Sequence, residues 1–245
     1  MRLFGLIGYP LSHSFSKKYF TQKFEEEGLN NCRYENFSIP SVNELKKVLE
    51  KNPDLTGLNV TIPYKEKIIP FLDVSSIIIK QIGACNCIKI IEGKLHGYNT
   101  DVIGFEKTLD IKLLPHHKKA LVLGSGGASK AVQFVLRKKG IEFIVISRSN
   151  NSTTLSYENL NSKIIHEHLL IINTTPLGMQ PLTELYPSIP YFNLTTQHYL
   201  YDLIYNPEKT IFLQKGEMMG AAIQNGAEML VIQAEESWKI WNTLN

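Results

Sequence analysis

Short apolar runs alternate with amphipathic segments along nearly the whole chain. Residues 3–7 are an apolar run that reads as a strand. Residues 17–27 predict a helix, with Phe20 and Phe24 four apart on one face and Gly28 as its stop. Residues 34–39 predict a strand and 42–51 a helix. Residues 58–62 predict a strand ended by Pro63, Lys65 opens a short helix, and a further helix runs over 73–82 to Gly83. Two short strands, 88–91 and 95–98, form a hairpin about Glu92-Gly93, and a helix covers 102–109. After the turn-rich stretch 114–118 the alternation starts again. Strands are expected at 119–123, 143–146, 169–172, 199–204 and 221–223, and helices at 128–138, near 210–215 and from Gly226 onward. In the last helix Ala227, Leu230, Val231, Ala234, Trp238 and Trp241 form an apolar stripe for packing back onto the first half. The pattern predicts an α/β fold of two domains: residues 1–101, completed by the helix of 226–245, and a doubly wound unit over 102–225. Two such domains leave a cleft between them, where a substrate meets a cofactor.

One stretch of the second half carries chemistry. The strand 119–123 runs into Gly124-Ser125-Gly126-Gly127-Ala128 and then a helix. In that context glycines let the backbone approach a pyrophosphate, and the helix N-terminus offers N–H donors and partial positive charge. The alternative is an ordinary strand–helix turn; the third fingerprint position is Ser129, small but not glycine. The next strand ends at Ser147-Arg148-Ser149. An NAD site places an acidic residue there, whereas an arginine flanked by hydroxyls suits the 2′-phosphate of NADP. A solvated charge at a strand end is the competing reading of Arg148. Together these segments predict a Rossmann-type, NADP-binding domain.

Composition narrows the class. The chain of 245 residues is 43% hydrophobic and 20% charged, with a net charge of +3. That is a globular composition, and no lysine/arginine block points to nucleic acid. No apolar run approaches the ~20 residues a membrane span needs, and the N-terminus lacks a signal-peptide pattern. Three cysteines, Cys32, Cys85 and Cys87, are an odd set that argues for a reducing cytoplasm rather than a disulfide framework. Cys85-Asn86-Cys87 is not a C-x-x-C motif, and His166-Glu167-His168 lies too far from it in sequence to be paired with it; the simpler reading is buried small cysteines and a solvated loop about the histidines, and no metal is expected.

The first half carries polar groups at strand ends. Ser14 and Ser16 can turn hydroxyls toward one anion near a helix start, or one of them can cap that helix. Asn59 and Thr61 share one face of a strand, and Lys65 lies just past its end. Asn99-Thr100-Asp101 ends another strand. A carboxylate beside Lys65 would orient it and tune its charge, as carbonyl reduction requires: hydride addition develops negative charge on oxygen that a proton must meet.

These residues fall into a series: Gly8-x-Pro10-x-x-His13-Ser14-x-Ser16, Gly57-x-Asn59-Val60-Thr61-x-Pro63-x-Lys65, Gly83-Ala84-x-Asn86 and Gly97-x-Asn99-Thr100-Asp101-x-x-Gly104. Gly124-x-Gly126-Gly127-Ala128, Asn173-x-Thr175-x-x-Gly178-Met179, Tyr201-Asp202-x-x-Tyr205-x-Pro207-x-x-Thr210 and Asn225-Gly226-x-x-Met229-Leu230-x-x-Gln233-Ala234 follow in order. The series resembles the shikimate dehydrogenases over nearly the whole chain. The resemblance implies reversible NADPH-dependent reduction of 3-dehydroshikimate to shikimate in aromatic amino-acid biosynthesis. It implies a carboxylate grip at Ser14 and Ser16, and hydroxyl contacts at Thr61, Asn86, Asp101 and Gln233, with Asn59 among the substrate residues. It places Lys65 on the catalytic lysine, paired with Asp101, and Tyr205 on a substrate-contacting tyrosine. The cofactor residues it implies are Gly124 to Ala128, Ser147, Arg148, Ser149, Thr175, Leu203 and Gly226, the last approaching the nicotinamide through its backbone. A small-molecule enzyme of the cytoplasm, monomer or homodimer, is the expected whole. The series departs from the family at Lys17 for proline, Cys87 for threonine, and Asn150, Asn151 and Ser152 where a second basic residue is usual. NADP preference then rests on Arg148 and hydroxyls alone. A quinate/shikimate dehydrogenase is the nearest rival; a catalytically silent sensor is disfavoured because Lys65 and Asp101 are both present.

Overall fold

The computed structural model describes residues 1–11, 15–148 and 153–243. Its chain divides into two compact units, Met1–Thr100 with Ala234–Asn245, and Asp101–Gln233. The sequence reading set the return to the first unit at Gly226; by internal packing it lies inside the last helix.

The first unit runs β1 (Arg2–Gly8), α1 (Phe15–Glu26), β2 (Cys32–Ser38), α2 (Leu45–Lys51), β3 (Leu55–Val60), β4 (Val74–Ser75), α3 (Ile77–Ile82), β5 (Cys87–Ile91) and β6 (Lys94–Tyr98). Its sheet has the order β2-β1-β3-β5-β6-β4: β1 pairs in parallel with β2 and β3, and β5 runs antiparallel to both its neighbours. Strand alternation sends side chains to two faces. Leu3 and Ile7 of β1 enter a core with Leu45, Val48 and Ile68. Phe4 and Leu6 enter another with Phe20 and Phe24 of α1. A sheet apolar on both faces has to be covered on both.

The second unit opens with α4 (Asp101–Leu109) and continues through β7 (Lys119–Leu123), α5 (Gly127–Lys138), β8 (Glu142–Ser147), β9 (Thr154–Ser156), α6 (Ser162–Glu167), β10 (Leu170–Asn173), β11 (Tyr199–Asp202), α7 (Ile211–Met218) and β12 (Ala222–Gln224). The last helix, α8 (Ala227–Asn242), starts here and ends in the first unit. The sheet is parallel throughout, in the order β12-β11-β10-β7-β8-β9. This is the doubly wound dinucleotide-binding order, with its reversal between β7 and β10.

Several elements differ from the sequence pattern for local reasons. No α-helix opens at Lys65: prolines at 63 and 70 flank the segment, which forms turns and a 3₁₀ turn at Ile69–Phe71. The helix expected over 73–82 splits, because Val74–Ser75 pair with β6 and the Ser76 hydroxyl caps α3 through the Ile79 N–H. β9 and α6 lie where polar residues obscure any period; Asn161 caps α6. His168 is buried rather than in a solvated loop, its ring bonded to the Ile164 carbonyl at 2.7 Å. The stripe of α8 is rotated from the expected one: Ala227 and Val231 are exposed, while Met229, Gln233, Ala234, Ser237 and Trp241 are buried.

Candidate active site

In the second unit the glycine turn joins β7 to α5. Gly124 has φ +107°, and a Cβ there would stand 2.7 Å from Thr174 Oγ1. Both the left-handed backbone and the contact exclude a side chain. Gly126 is the N-cap of α5, no side chain caps that end, and its first turn holds no acidic residue. The first N–H groups of a twelve-residue helix are thus left to an incoming anion. Ser125 is exposed, with Gly127 and Ala128 half-buried behind it. Leu123 pairs with Ile146 and Ser147 with Ser156, so Ser147 is the last residue of β8 and the exposed Arg148 follows it beyond the strand end. The Ser147 hydroxyl donates to Thr154 at 3.1 Å. Ser149 lies outside the described residues. A helix N-terminus that no side chain caps among the described residues, with Arg148 at the end of the neighbouring strand, fits a phosphorylated dinucleotide.

The strands on the other side of the reversal end in a hydrogen-bonded knot. The fully buried carboxylate of Asp202 accepts from Thr210 Oγ1 (2.6 Å), the Ile204 N–H (3.0 Å) and Asn173 Nδ2 (3.0 Å). Burial pushes its pKa up to about 6, against these three donors, which favour the ionised form. Asn173 Oδ1 accepts from the Thr175 N–H and hydroxyl, and its carbonyl accepts from the Leu203 N–H. A Cβ on Gly226 would run into the Leu203 carbonyl, so these two backbones touch only because residue 226 is glycine. Tyr205 is half-buried, and burial raises its hydroxyl pKa. Buried Gln233 donates to the Leu230 carbonyl at 2.9 Å, and Asp101 is a buried carboxyl in the first turn of α4.

In the first unit the predicted residues converge on a neutral network. The carbonyl of half-buried Lys65 accepts from the Cys85 N–H at 2.7 Å, and Asn86 comes next in the chain. Buried Asn86 donates to Thr100 Oγ1 (3.0 Å) and accepts from the Thr100 N–H (2.7 Å). Asn59 donates to the Asn86 carbonyl (3.3 Å) and Ser237 Oγ (3.0 Å), and accepts from the Tyr34 hydroxyl (2.8 Å). Thr100 and Ser237 close the ring at 3.3 Å. Tyr34 also shares a hydrogen bond with Ser16, and burial holds its phenol well above the ordinary range. Thr61 continues β3, its N–H bonded to the Ile7 carbonyl. Ser14 lies outside the described residues. The sequence reading therefore has Ser16, Asn59, Thr61, Lys65 and Asn86 in one unit, and Asp101, Tyr205, Gln233 and the cofactor residues in the other.

Sequence reasoning gave no role to Tyr34, Ser237, Asn173, Asp202 or Thr210. Asn173, Asp202 and Thr210 stand in the series that carries the resemblance, and Asp202 is also a charge closing the apolar run Tyr199-Leu200-Tyr201. Tyr34 and Ser237 are recognisable only once distant segments are brought together.

Residues 6–88 match the family model of the shikimate dehydrogenase substrate binding domain. The chain is 39% identical to the shikimate dehydrogenase (NADP(+)) of Methanococcus maripaludis, over 98% of this chain and 91% of that one. It superimposes on the crystal structure of shikimate dehydrogenase from Aquifex aeolicus with a TM-score of 0.87 at 37% identity, covering 99% and 92% of the two chains. The shikimate 5-dehydrogenase of Thermus thermophilus, solved in complex with NADP(H) and shikimate, gives a TM-score of 0.87 at 31% identity, covering 100% and 94%.

Proposed function

The chain belongs to the shikimate dehydrogenase family, and from that premise we propose how its residues divide the work of the reaction. It is an NADP-dependent oxidoreductase of the shikimate pathway, interconverting 3-dehydroshikimate and shikimate. NADPH, when bound, supplies the hydride. Lys65 supplies the proton to the oxygen on which negative charge develops, and takes it back in the reverse direction. Asp101 keeps that ammonium oriented, and holds a ring hydroxyl. Ser14 and Ser16 hold the substrate carboxylate. Thr61, Asn86, Tyr205 and Gln233 meet the ring hydroxyls, so an analogue lacking one of those groups leaves a polar side chain unpaired. Asn59, expected among the substrate residues, has its amide already bonded to the Asn86 carbonyl, Ser237 and Tyr34, and so positions Asn86 instead of meeting the ring. The glycine turn and the start of α5 hold the dinucleotide phosphates, with Thr175, Leu203 and Gly226 toward the nicotinamide. Arg148, with Ser147 and Ser149, reads the 2′-phosphate. The enzyme acts in the cytoplasm as a monomer or homodimer.

The observation that carries this reading is the setting of Lys65: a half-buried residue whose backbone carbonyl ties its segment through Cys85 to the Asn86–Thr100–Asn59 network. Lys65→Ala is expected to lower kcat by on the order of 10²–10⁴-fold with circular dichroism unchanged. Near wild-type turnover of shikimate by the folded variant would remove the role assigned to Lys65.

A further inference from the structure

We propose that Asp202 is a positioning residue for the dinucleotide, its carboxylate locking together the two loops that leave β10 and β11 beside the glycine turn. The inference rests on the reading of the second unit as the NADP-binding one. In a doubly wound sheet the ligand lies beyond the carboxyl ends of the strands at the reversal of strand order, here β7 and β10. β10 ends at Asn173 and β11 at Asp202, and the two side chains bond directly at 3.0 Å. From Asp202 the bonds run outward to both loops. One reaches the Ile204 N–H, next to Leu203, whose own N–H is held by the Asn173 carbonyl. The other route passes through Asn173 Oδ1 to Thr175, whose hydroxyl accepts from the Leu177 N–H. Thr174 carries the lattice across to β7, donating through Oγ1 to the Leu123 carbonyl at 2.7 Å, one residue before Gly124. Thr210 at the start of α7 supplies the third donor to Asp202 and is itself buried.

Three donors aimed at one carboxylate explain why the position is acidic. An amide accepts through one oxygen and turns an N–H toward a group that also donates, leaving a buried donor unmatched. A buried ionised group has a large desolvation cost. A shape-filling residue at the end of β11 would avoid that cost, so its presence points to the loops it orders. Unlike a purely structural strut, such a hub affects one ligand and not the other.

NADPH affinity is to be measured on the full chain by titration of cofactor fluorescence, and shikimate affinity by calorimetry without cofactor. Asp202→Asn is expected to weaken NADPH binding about tenfold or more, the effect of losing a hydrogen bond to a charged group. Shikimate affinity is expected to stay within about twofold of wild type. Thr210→Val, which removes one donor and keeps the shape, is expected to weaken NADPH several-fold, and Thr210→Ser to restore it. Folded variants that bind NADPH as wild type does, or that lose NADPH and shikimate equally, would overturn the proposal. If Asp202→Asn does not fold, the Thr210→Val and Thr210→Ser pair decides by the same criterion. A wild-type chain that binds no NADPH would instead sink the cofactor reading itself.

Discussion

The two units fix their groups with opposite materials. Around Asn59 the first unit uses neutral side chains: Tyr34, Asn86, Thr100 and Ser237 pass hydrogen bonds in a ring, and both N–H donors of Asn59 are matched. Around Gly124 the second unit uses backbone: a left-handed turn, an uncapped helix start, and one buried carboxylate tying the neighbouring loops. The difference follows from what each has to recognise. A polyhydroxylated ring is told from its analogues by directional side-chain hydrogen bonds, whereas a pyrophosphate is met by N–H groups that any sequence with the right glycines presents. The neutral ring titrates nothing near neutral pH, while the second unit carries a charge in its core.

The harshest test of the first arrangement is at its support. Ser237 reaches Asn59 only because α8 is seated, and Trp241, one turn further on, seats it. Trp241 is 4% exposed, stacks on Phe4 with ring centroids 4.9 Å apart, and donates to the Ile88 carbonyl at 2.9 Å. Trp241→Ala is expected to cost about 3–5 kcal/mol in urea unfolding, the range for removing a buried indole. A loss under about 1 kcal/mol would mean that the helix end is held by something other than this aromatic cluster.

The same contrast decides what was legible in the sequence. The backbone-built site announces itself, because Gly124, Gly126 and Gly127 after an apolar strand are a local pattern with a local cause. Lys65 and Asp101 stood out as charges at strand ends. The ring around Asn59 did not, since Tyr34, Asn59, Asn86, Thr100 and Ser237 come from five segments, and no spacing connects them. α8 shows the same limit: periodicity found its apolar residues, but the buried face was rotated toward Gln233 and Ser237, polar groups that a hydrophobic count ignores. The split of 73–82 into β4 and α3 depended on Ser76 as a cap and on pairing with β6, which is non-local.

A smaller effect, of definite sign, separates the units by pH. Burial raises Asp202 from the ordinary carboxylate value of 3.8 to about 6. The folded protein therefore holds this proton more tightly than the unfolded chain does. The contribution to stability is complete below about pH 4 and is lost as pH rises through 6, a difference of roughly 3 kcal/mol. The titratable groups facing Asp202 are Tyr191 and Tyr201, both raised by burial and neutral throughout this window. The stability of wild type relative to Asp202→Asn should then decline between pH 4 and 6.5, measured by unfolding at each pH. A flat difference would show that the carboxylate is not strained by its burial.

The smallest effect asks whether any side chain in the second unit discriminates as those of the first do. If backbone holds the phosphates shared by NADP and NAD, only the strand end after β8 can distinguish the two cofactors. Arg148 is exposed there, so its contact with a 2′-phosphate competes with water and salt, and is worth about 1–2 kcal/mol. Arg148→Ala should raise the KM for NADPH about tenfold and leave that for NADH within about twofold. Because Ser149, Asn150, Asn151 and Ser152 follow it with no second base, the variant should lose most of the preference for NADP, and added salt should weaken NADPH binding to wild type more than to the variant. Equal changes for the two cofactors would mean that Arg148 does not read the phosphate, and that selectivity, too, is built from the backbone.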